Sequence, residues 1–313
     1  MARMILWRLV QFPFILGAIF VVTLTLAWIV PGDPLDTDDG REIAPEIKAA
    51  MLKQYNLDGG PIKFGASYLQ GLVFGSERGW PDFGPSLAYK EERVSDMIMG
   101  SLPVSIMLGS SALAVALFIG TVSGVIGALK PGSVLDLSSL AVALLGISLP
   151  NFVTGSILLA VVAGAWGLLP AGGWDSSWHI ILPAITLGIA PAAYIARLVR
   201  LGLADIMSSD YIRTARAKGL SQHKALFEHA LKVAYLPVLS FMGPAAASVM
   251  TGSFVVEKLF NIPGMGDHFV KSVINKDQFL ILGVVLTFST MLVLFNLIVD
   301  VAYAWIDPRI DLA

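Results

Sequence analysis

At 313 residues, with 56% hydrophobic and 14% charged side chains and a mean hydropathy of +0.75, the chain has too little charge to solvate the surface of a soluble domain of its size. The lack of cysteine excludes a disulfide framework and any thiolate metal or redox centre, and four histidines leave little for a metal cluster. A net charge of -2 does not suit a nucleic-acid partner, whose phosphates call for a basic surface.

In chain order, apolar runs suited to crossing ~30 Å of hydrocarbon cover Leu9 to Val30, Leu102 to Leu129, Leu135 to Val162, Ile180 to Val199, Val238 to Val256 and Phe279 to Ile306. This predicts an all-α membrane protein with six transmembrane helices. The first run follows Arg3 and Arg8, exceeds a signal-peptide core and lacks a small-residue cleavage site before Pro31, so residues 1–30 are expected to form an uncleaved anchor. An even number of spans puts both termini on one side.

Residues 31–101 form the first long connection. Twelve acidic residues there outnumber seven basic ones, which suits an external, periplasmic segment. Ala44 to Tyr55 has helical spacing with Pro45 at its start, and Gly59, Gly60 and Pro61 are expected to end it. A second short helix is expected over Phe64 to Val73. Residues 102–306 form the membrane core, with a cytoplasmic loop at 200–237, and residues 307–313 form a tail.

That loop sets the orientation. Arg197, Arg200, Arg213, Arg216, Lys218, Lys224 and Lys232 crowd the link between the fourth and fifth spans, so this side is expected to be cytoplasmic. Lys130, Arg3, Arg8 and Arg309 then fall inside as well. The run Asp210-Tyr211-Ile212-Arg213-Thr214-Ala215-Arg216-Ala217-Lys218 reads as a short helix, with Ser209 placed to cap it and Asp210 and Lys218 complementing its dipole. Gly219 can close it in the left-handed conformation. Leu220 follows, and Ser221 can cap a second helix running to about Tyr235, ahead of Pro237. A solvated hairpin and a docking element both fit this pattern.

Enzymatic motifs are missing. There is no Gly-Lys dipeptide, hence no phosphate-cradling Walker loop, and no HExxH or GxSxG arrangement. Ser221 and Lys224 match an SxxK spacing without any partner motif, and Gly264-Met265-Gly266 lacks the strand and third glycine of a dinucleotide fingerprint. The chain is expected to be no enzyme, to hold no cofactor or metal, and to leave ATP hydrolysis to other subunits.

Arg213-Thr214-Ala215, followed by Gly219, resembles the "EAA" loop of type I ABC importer permeases in the form typical of the peptide and nickel branch. Arg213 and Thr214 depart from the general Glu-Ala pattern. The wider resemblance covers nearly the whole chain: Pro31-Gly32-Asp33-Pro34, Phe83-Gly84-Pro85-Ser86, Ala128-Leu129-Lys130, Ser148-Leu149-Pro150, His229-Ala230-Leu231-Lys232, Met242-Gly243-Pro244, Thr251-Gly252-Ser253, Glu257, Pro263-Gly264-Met265-Gly266 and Asp307-Pro308-Arg309-Ile310 are similar to the first, "B", permease of oligopeptide ABC importers. The resemblance implies a type I transmembrane fold in the inner membrane. Its coupling-helix loop, Asp210 to Leu220, would meet one of two cytoplasmic ATPases, which carry ATP and magnesium. It also implies a homologous second permease as heterodimer partner, an external peptide-binding protein and a peptide substrate. Dipeptides, nickel chelates or another small ligand are alternative cargoes within the branch. A transporter or channel subunit working without ATPases would want repeats or an ion relay, and neither is visible.

Ala116, Gly120, Gly124 and Ala128 give the second span a face for close helix approach, read as packing within the chain before a seam between subunits. Pro150, Pro183, Pro191, Pro237 and Pro244 interrupt helical hydrogen bonding and require the freed groups to face protein or a wet cavity. Candidates for the passage are Asn151, Glu257, Thr287, Asn296 and Asp300, with Ser289 and Thr290 nearby. Asn151, Thr287, Ser289, Thr290 and Asn296 have helix packing as their plainer role, Asp300 either lines the inner mouth or snorkels to the surface, and Glu257, at the outer end of the fifth span, is either a gate or substrate contact or an interfacial salt bridge.

Overall fold

The computed structural model describes residues 2–32, 35, 44–77, 79–89, 92–129 and 131–306. Among these, the helices in chain order are α1 (Ala2–Ile29), α2 (Pro45–Gln54), α3 (Gly60–Phe74), α4 (Val94–Leu129), α5 (Val134–Ser148), α6 (Asn151–Leu158), α7 (Ile181–Met207), α8 (Asp210–Ala217), α9 (Gln222–Lys224), α10 (Leu231–Ala234), α11 (Leu236–Leu259), α12 (Met265–Ile274) and α13 (Gln278–Ile306). A π-helical stretch extends α6 over Leu159–Ala165, and another joins α9 to α10 over Ala225–Ala230. No strand forms among the described residues. The expected features at Asp33, Pro34, the acidic residues from Asp36 to Glu42, Lys130 and residues 307–313, Arg309 included, lie outside the described residues.

Four of the six apolar runs lie in helices long and apolar enough to cross a membrane: α1, α4, α7 with the turn before it, and α13. A fifth qualifies as a bent pair, Gln222–Ala234 and Leu236–Met250, meeting at 50°. The remaining run, Leu135 to Val162, is divided between α5 and the shorter apolar helix Asn151–Ala165. Pro150 is the reason. It has no N–H, holds φ at -59° as the N-cap of α6, and steers the residue before it out of the helical region.

The chain packs as two compact units. One comprises Leu6–Ser105 and Pro263–Val293. Its core gathers Phe20, Phe64, Tyr68, Val94, Ile98 and Phe279, with Phe64 and Phe279 edge to face at 4.9 Å and Phe20 stacked on Tyr68 at 5.8 Å. The Asp277 carboxylate caps α13 by accepting from the Leu280 N–H at 3.1 Å. Its other oxygen accepts from the Ser86 hydroxyl at 2.5 Å and the N–H groups of Leu87 at 2.9 Å and Ala88 at 3.2 Å. One boundary here differs from expectation. Helix α2 ends at Gln54 because Asn56 turns left-handed at φ +57°, and Gly60-Pro61, expected to stop it, instead open α3 with Pro61 in the first turn.

The other unit is built from Ile106–Ile262 with the last helix from Leu294, and α7 runs through its centre. Within α7's most apolar window 61% of the residues are buried, against 6% in α1, whose exposed Leu, Val and Phe side chains suit lipid. Small residues set the approach of the neighbours. A Cβ added to Gly120 or Gly124 of α4 would stand 2.7 Å from the Ala192 or Ala196 carbonyl of α7, and one on Gly188 of α7 would stand 2.8 Å from the Ala112 carbonyl. The stripe from Ala116 to Ala128 therefore serves packing within the chain. On α5 and α6, Gly146 and Gly155 face Ile189 and Thr186 of α7 in the same way.

Candidate functional site

The most distinctive surface element is α8, eight residues set between two long apolar helices. It is amphipathic at minimal length. Ile212 is fully buried in a cluster with Leu203, Ala225, Leu226, Ala230 and Ala234. Asp210, Tyr211, Arg213, Thr214, Arg216 and Lys218 are exposed, and Ala215 and Leu220 are half-buried. The Thr214 hydroxyl donates to the Asp210 carbonyl at 2.8 Å, and Arg213 pairs with Asp210 at 3.1 Å on the solvent side. So exposed a pair adds little to stability. The cationic side chains are therefore presented outward rather than consumed in holding the helix.

Caps define both ends of the turn. Gly219 takes the left-handed conformation expected of it, φ +93°, and the Leu220 N–H reaches back to the Ala215 carbonyl at 3.3 Å. Ser221 accepts from the Lys224 N–H at 3.4 Å and so starts the return helix. Ser209 stands at the N-cap of α8, but its side chain does not make the expected cap. Its hydroxyl donates to the Ile206 carbonyl at 2.6 Å, because Ser209 sits two residues past the end of α7, where unsatisfied carbonyls compete for it.

Several ties join this loop to the helices around it. The Tyr211 hydroxyl and His229 Nδ1 share a hydrogen bond at 2.8 Å, with the rings edge to face at 5.6 Å. At Gly202 of α7 a Cβ would stand 3.2 Å from Ala234 of α10. Thr121 of α4 and Tyr235 share a hydrogen bond at 2.7 Å. Arg200, near the end of α7, grips Asp136 of α5 with two parallel bonds, Nε to Oδ1 at 2.6 Å and Nη2 to Oδ2 at 2.8 Å, while the Gly132 N–H donates to Asp136 Oδ2 at 2.9 Å. In the sequence, Arg200 is visible only as a marker of orientation. Its partner lies 64 positions away, and an acid in the first turn of an apolar run was the one available signal. The Tyr211–His229 tie, across 18 positions, left no such trace.

The five passage candidates are dispersed. Asn151 opens α6 directly after Pro150 and is half-buried. Glu257 is fully buried in α11. Asn296 is half-buried, and a side chain on Gly243 would run into its Oδ1, so this amide lies against the α11 backbone. Asp300 is half-buried one turn further along α13. Thr287 belongs to the other unit, where its hydroxyl donates to the Gly283 carbonyl at 2.7 Å within its own helix. Of Ser289 and Thr290, Ser289 donates likewise to Val285 at 2.7 Å.

The described residues are almost wholly helical, with several helices long and apolar enough to cross a membrane and small-residue packing around α7, which defines a multi-pass membrane protein. The model of the binding-protein-dependent transport system inner membrane component matches residues 116–312, and the N-terminal model of such membrane components matches residues 1–109. The chain belongs to this family. A dipeptide transport system permease protein of Bacillus subtilis is 38% identical over 312 residues, spanning 100% of this chain and 99% of that one. Oligopeptide transport system permease proteins of Haemophilus influenzae and Escherichia coli K12 are also 38% identical, over 99% of each chain. Among solved structures, an inward-facing form of the MetNI methionine ABC transporter shares the fold, with a TM-score of 0.57 at 15% identity over 68% of this chain and 97% of that one.

Proposed function

We propose that this chain is one permease of an ATP-driven peptide importer, forming half of the translocation pathway with a homologous second permease. In this reading two cytoplasmic ATPases bind ATP and magnesium, an external binding protein delivers the peptide, and the chain itself carries no cofactor and catalyses no reaction. The observation that carries the reading is α8, which buries Ile212 into the packing beneath it and turns Arg213, Arg216 and Lys218 outward. Such a helix can be pushed from outside and pass the displacement into α7 and α5, because two residues join it to α7 and the Arg200–Asp136 clamp ties α7 to α5. Asp210 to Leu220 is the proposed coupling segment, placed in the cytoplasm of a chain whose termini lie on the same side.

Peptide as cargo is supported by the relatives, whose names cite both dipeptide and oligopeptide transport. Oligopeptides are the preferred reading, with dipeptides or nickel chelates as the alternative. The passage residues Asn151, Glu257, Thr287, Asn296 and Asp300 would tune transport rather than select cargo, since aliphatic walls with scattered hydrogen-bonding groups suit variable side chains. The test is uptake of a labelled oligopeptide by vesicles carrying the reconstituted complex, with dipeptides and a nickel chelate as competitors. Oligopeptides should compete best, and Asn296→Ala or Asp300→Asn should change the rate of uptake while leaving the competitor ranking intact. A ranking altered by either variant, with the binding protein unchanged, would show that this chain selects cargo.

A further inference from the structure

Helix α3 packs on one face of α1. Its buried residues are Phe64, Gly65 and Tyr68, and they meet Phe20, Leu24 and Trp28, spaced four apart along α1. The Phe64 and Trp28 rings lie 5.7 Å apart, a Cβ on Gly65 would stand 2.7 Å from the Leu24 side chain, and Tyr68 stacks on Phe20. Phe20 is about 13 Å along the axis from the end of α1 at Ile29. Helix α1 is long and apolar enough to cross a membrane, and its Val21, Val22, Leu26 and Ile29 are exposed. Helix α3 therefore lies beside a stretch of α1 that itself faces lipid.

The free surface of α3 is divided in two. Ile62, Ala66, Leu69 and Val73 recur at helical spacing and are all exposed, Ile62 at 86%. Lys63, Ser67 and Gln70 each follow one of these residues, so they form a polar stripe turned by about 100° from the apolar one. A helix with protein on one side and water on all the rest has no use for the apolar stripe. The pattern continues at the end of the helix, where Phe74 is 83% exposed. Trp80, 73% exposed, is held there by its Nε1–H, which donates to the Val73 carbonyl at 3.2 Å. An indole with its N–H satisfied and its ring exposed suits the layer between hydrocarbon and headgroups.

We infer that α3 is an interfacial helix lying in the leaflet where α1 ends. Ile62, Ala66, Leu69 and Val73 rest against acyl chains, Lys63, Ser67 and Gln70 turn toward water, and Phe74 and Trp80 sit at the boundary between the two. Three separate features favour lipid over a partner protein as the occupant of the apolar stripe: the attachment to a lipid-facing span, the polar stripe running beside the apolar one, and the exposed tryptophan. Held at that depth, α3 fixes the level of Trp28 and the end of α1 in the bilayer. The inference needs only that α1 crosses the membrane, so it stands apart from the cargo and the ATPases.

The test uses the complete complex in vesicles, with any cysteines of the other subunits replaced and with Leu69→Cys or Ser67→Cys of this cysteine-free chain labelled with bimane. Two quenchers are compared: phosphatidylcholine bearing a nitroxide on its acyl chain, and iodide present on both sides of the membrane. Bimane on Leu69→Cys should emit at shorter wavelength, lose intensity to the nitroxide lipid and keep it against iodide. Ser67→Cys should show the reverse. Val73→Cys should repeat the behaviour of Leu69→Cys, and Gln70→Cys that of Ser67→Cys, so the outcome does not hang on the folding of any one variant. Iodide quenching of Leu69→Cys and Val73→Cys as strong as that of Ser67→Cys would put the apolar stripe in water, and shielding of both from either quencher would put a protein against it. Each of these results would overturn the proposal.

Discussion

Nothing lies within 4 Å of the place a Cβ would take on Gly219, so its φ of +93° is required by the turn between α8 and the return helix and not by crowding. Gly124 is the opposite case: its backbone is helical, and a Cβ there would stand 2.7 Å from both the Ala196 carbonyl and the Val199 Cβ. The two glycines should fail differently. Gly219→Val adds a β-branched residue in left-handed backbone, a local cost of ~1 kcal/mol or more, and should cut ATP-driven uptake while the chain still inserts in the membrane. Gly124→Ala forces α4 away from α7 and should lower the stability of the purified complex by ~1–3 kcal/mol. Wild-type uptake by Gly219→Val, or unchanged unfolding of Gly124→Ala, would count against these roles. A third residue, Asp277, is governed by burial, which raises its carboxyl above the ordinary range although Ser86 and the N–H groups of Leu280, Ala88 and Leu87 pull it down. The folded state thus holds its proton more firmly than the unfolded chain does. Its contribution to stability is greatest at low pH and declines as pH rises from the ordinary carboxylate value through the raised one. Relative to Asp277→Asn, the native protein should lose thermal stability across that window, and a gain would mean that the hydrogen bonds outweigh burial.

At the scale of the element, α8 separates two jobs on about two turns of helix. Ile212 is fully buried and Arg213 and Arg216 are exposed. Ile212→Ala should therefore cost ~2–5 kcal/mol by cavity formation, whereas Arg213→Ala with Arg216→Ala should change stability by less than ~0.5 kcal/mol yet weaken retention of the ATPases. Denaturant unfolding and co-purification separate the two. Loss of ATPase retention only in the Ile212 variant would move the contact elsewhere. Helix α8 and its glycine turn were legible in sequence because cap, charge and glycine signals are local. Ser209 is the N-cap of α8, but its hydroxyl is taken by the Ile206 carbonyl of the preceding helix, which local sequence does not show. Apolar runs announced the long helices, since any span needs them, but run length did not show that Pro150 divides one run or that Ala225–Ala230 adopts π geometry. The start of α3 at Gly60 was hidden because Gly-Pro reads equally as the stop of one helix and the start of the next.

For the whole molecule, sequence gave membrane class and charge asymmetry, while the packing order around α7 and the Arg200–Asp136 clamp needed three dimensions. Small residues every four positions on α4 showed that something approaches closely, and only the fold shows that it is α7. In the proposed function α8 meets the ATPases in the cytoplasm, and residues 31–101 are the proposed external segment. Because the chain has no cysteine, single thiols placed in it are unambiguous probes. The decisive measurement uses Thr214→Cys on α8 and Ser67→Cys on α3 in the assembled complex, each treated with a short thiol-to-amine cross-linker and, in sealed cells, with an impermeant maleimide. Thr214→Cys should link to an ATPase subunit and resist the external maleimide, while Ser67→Cys should be labelled from outside and link to no ATPase. Labelling of Thr214→Cys from outside, or an ATPase linked through Ser67→Cys in its place, would contradict this arrangement.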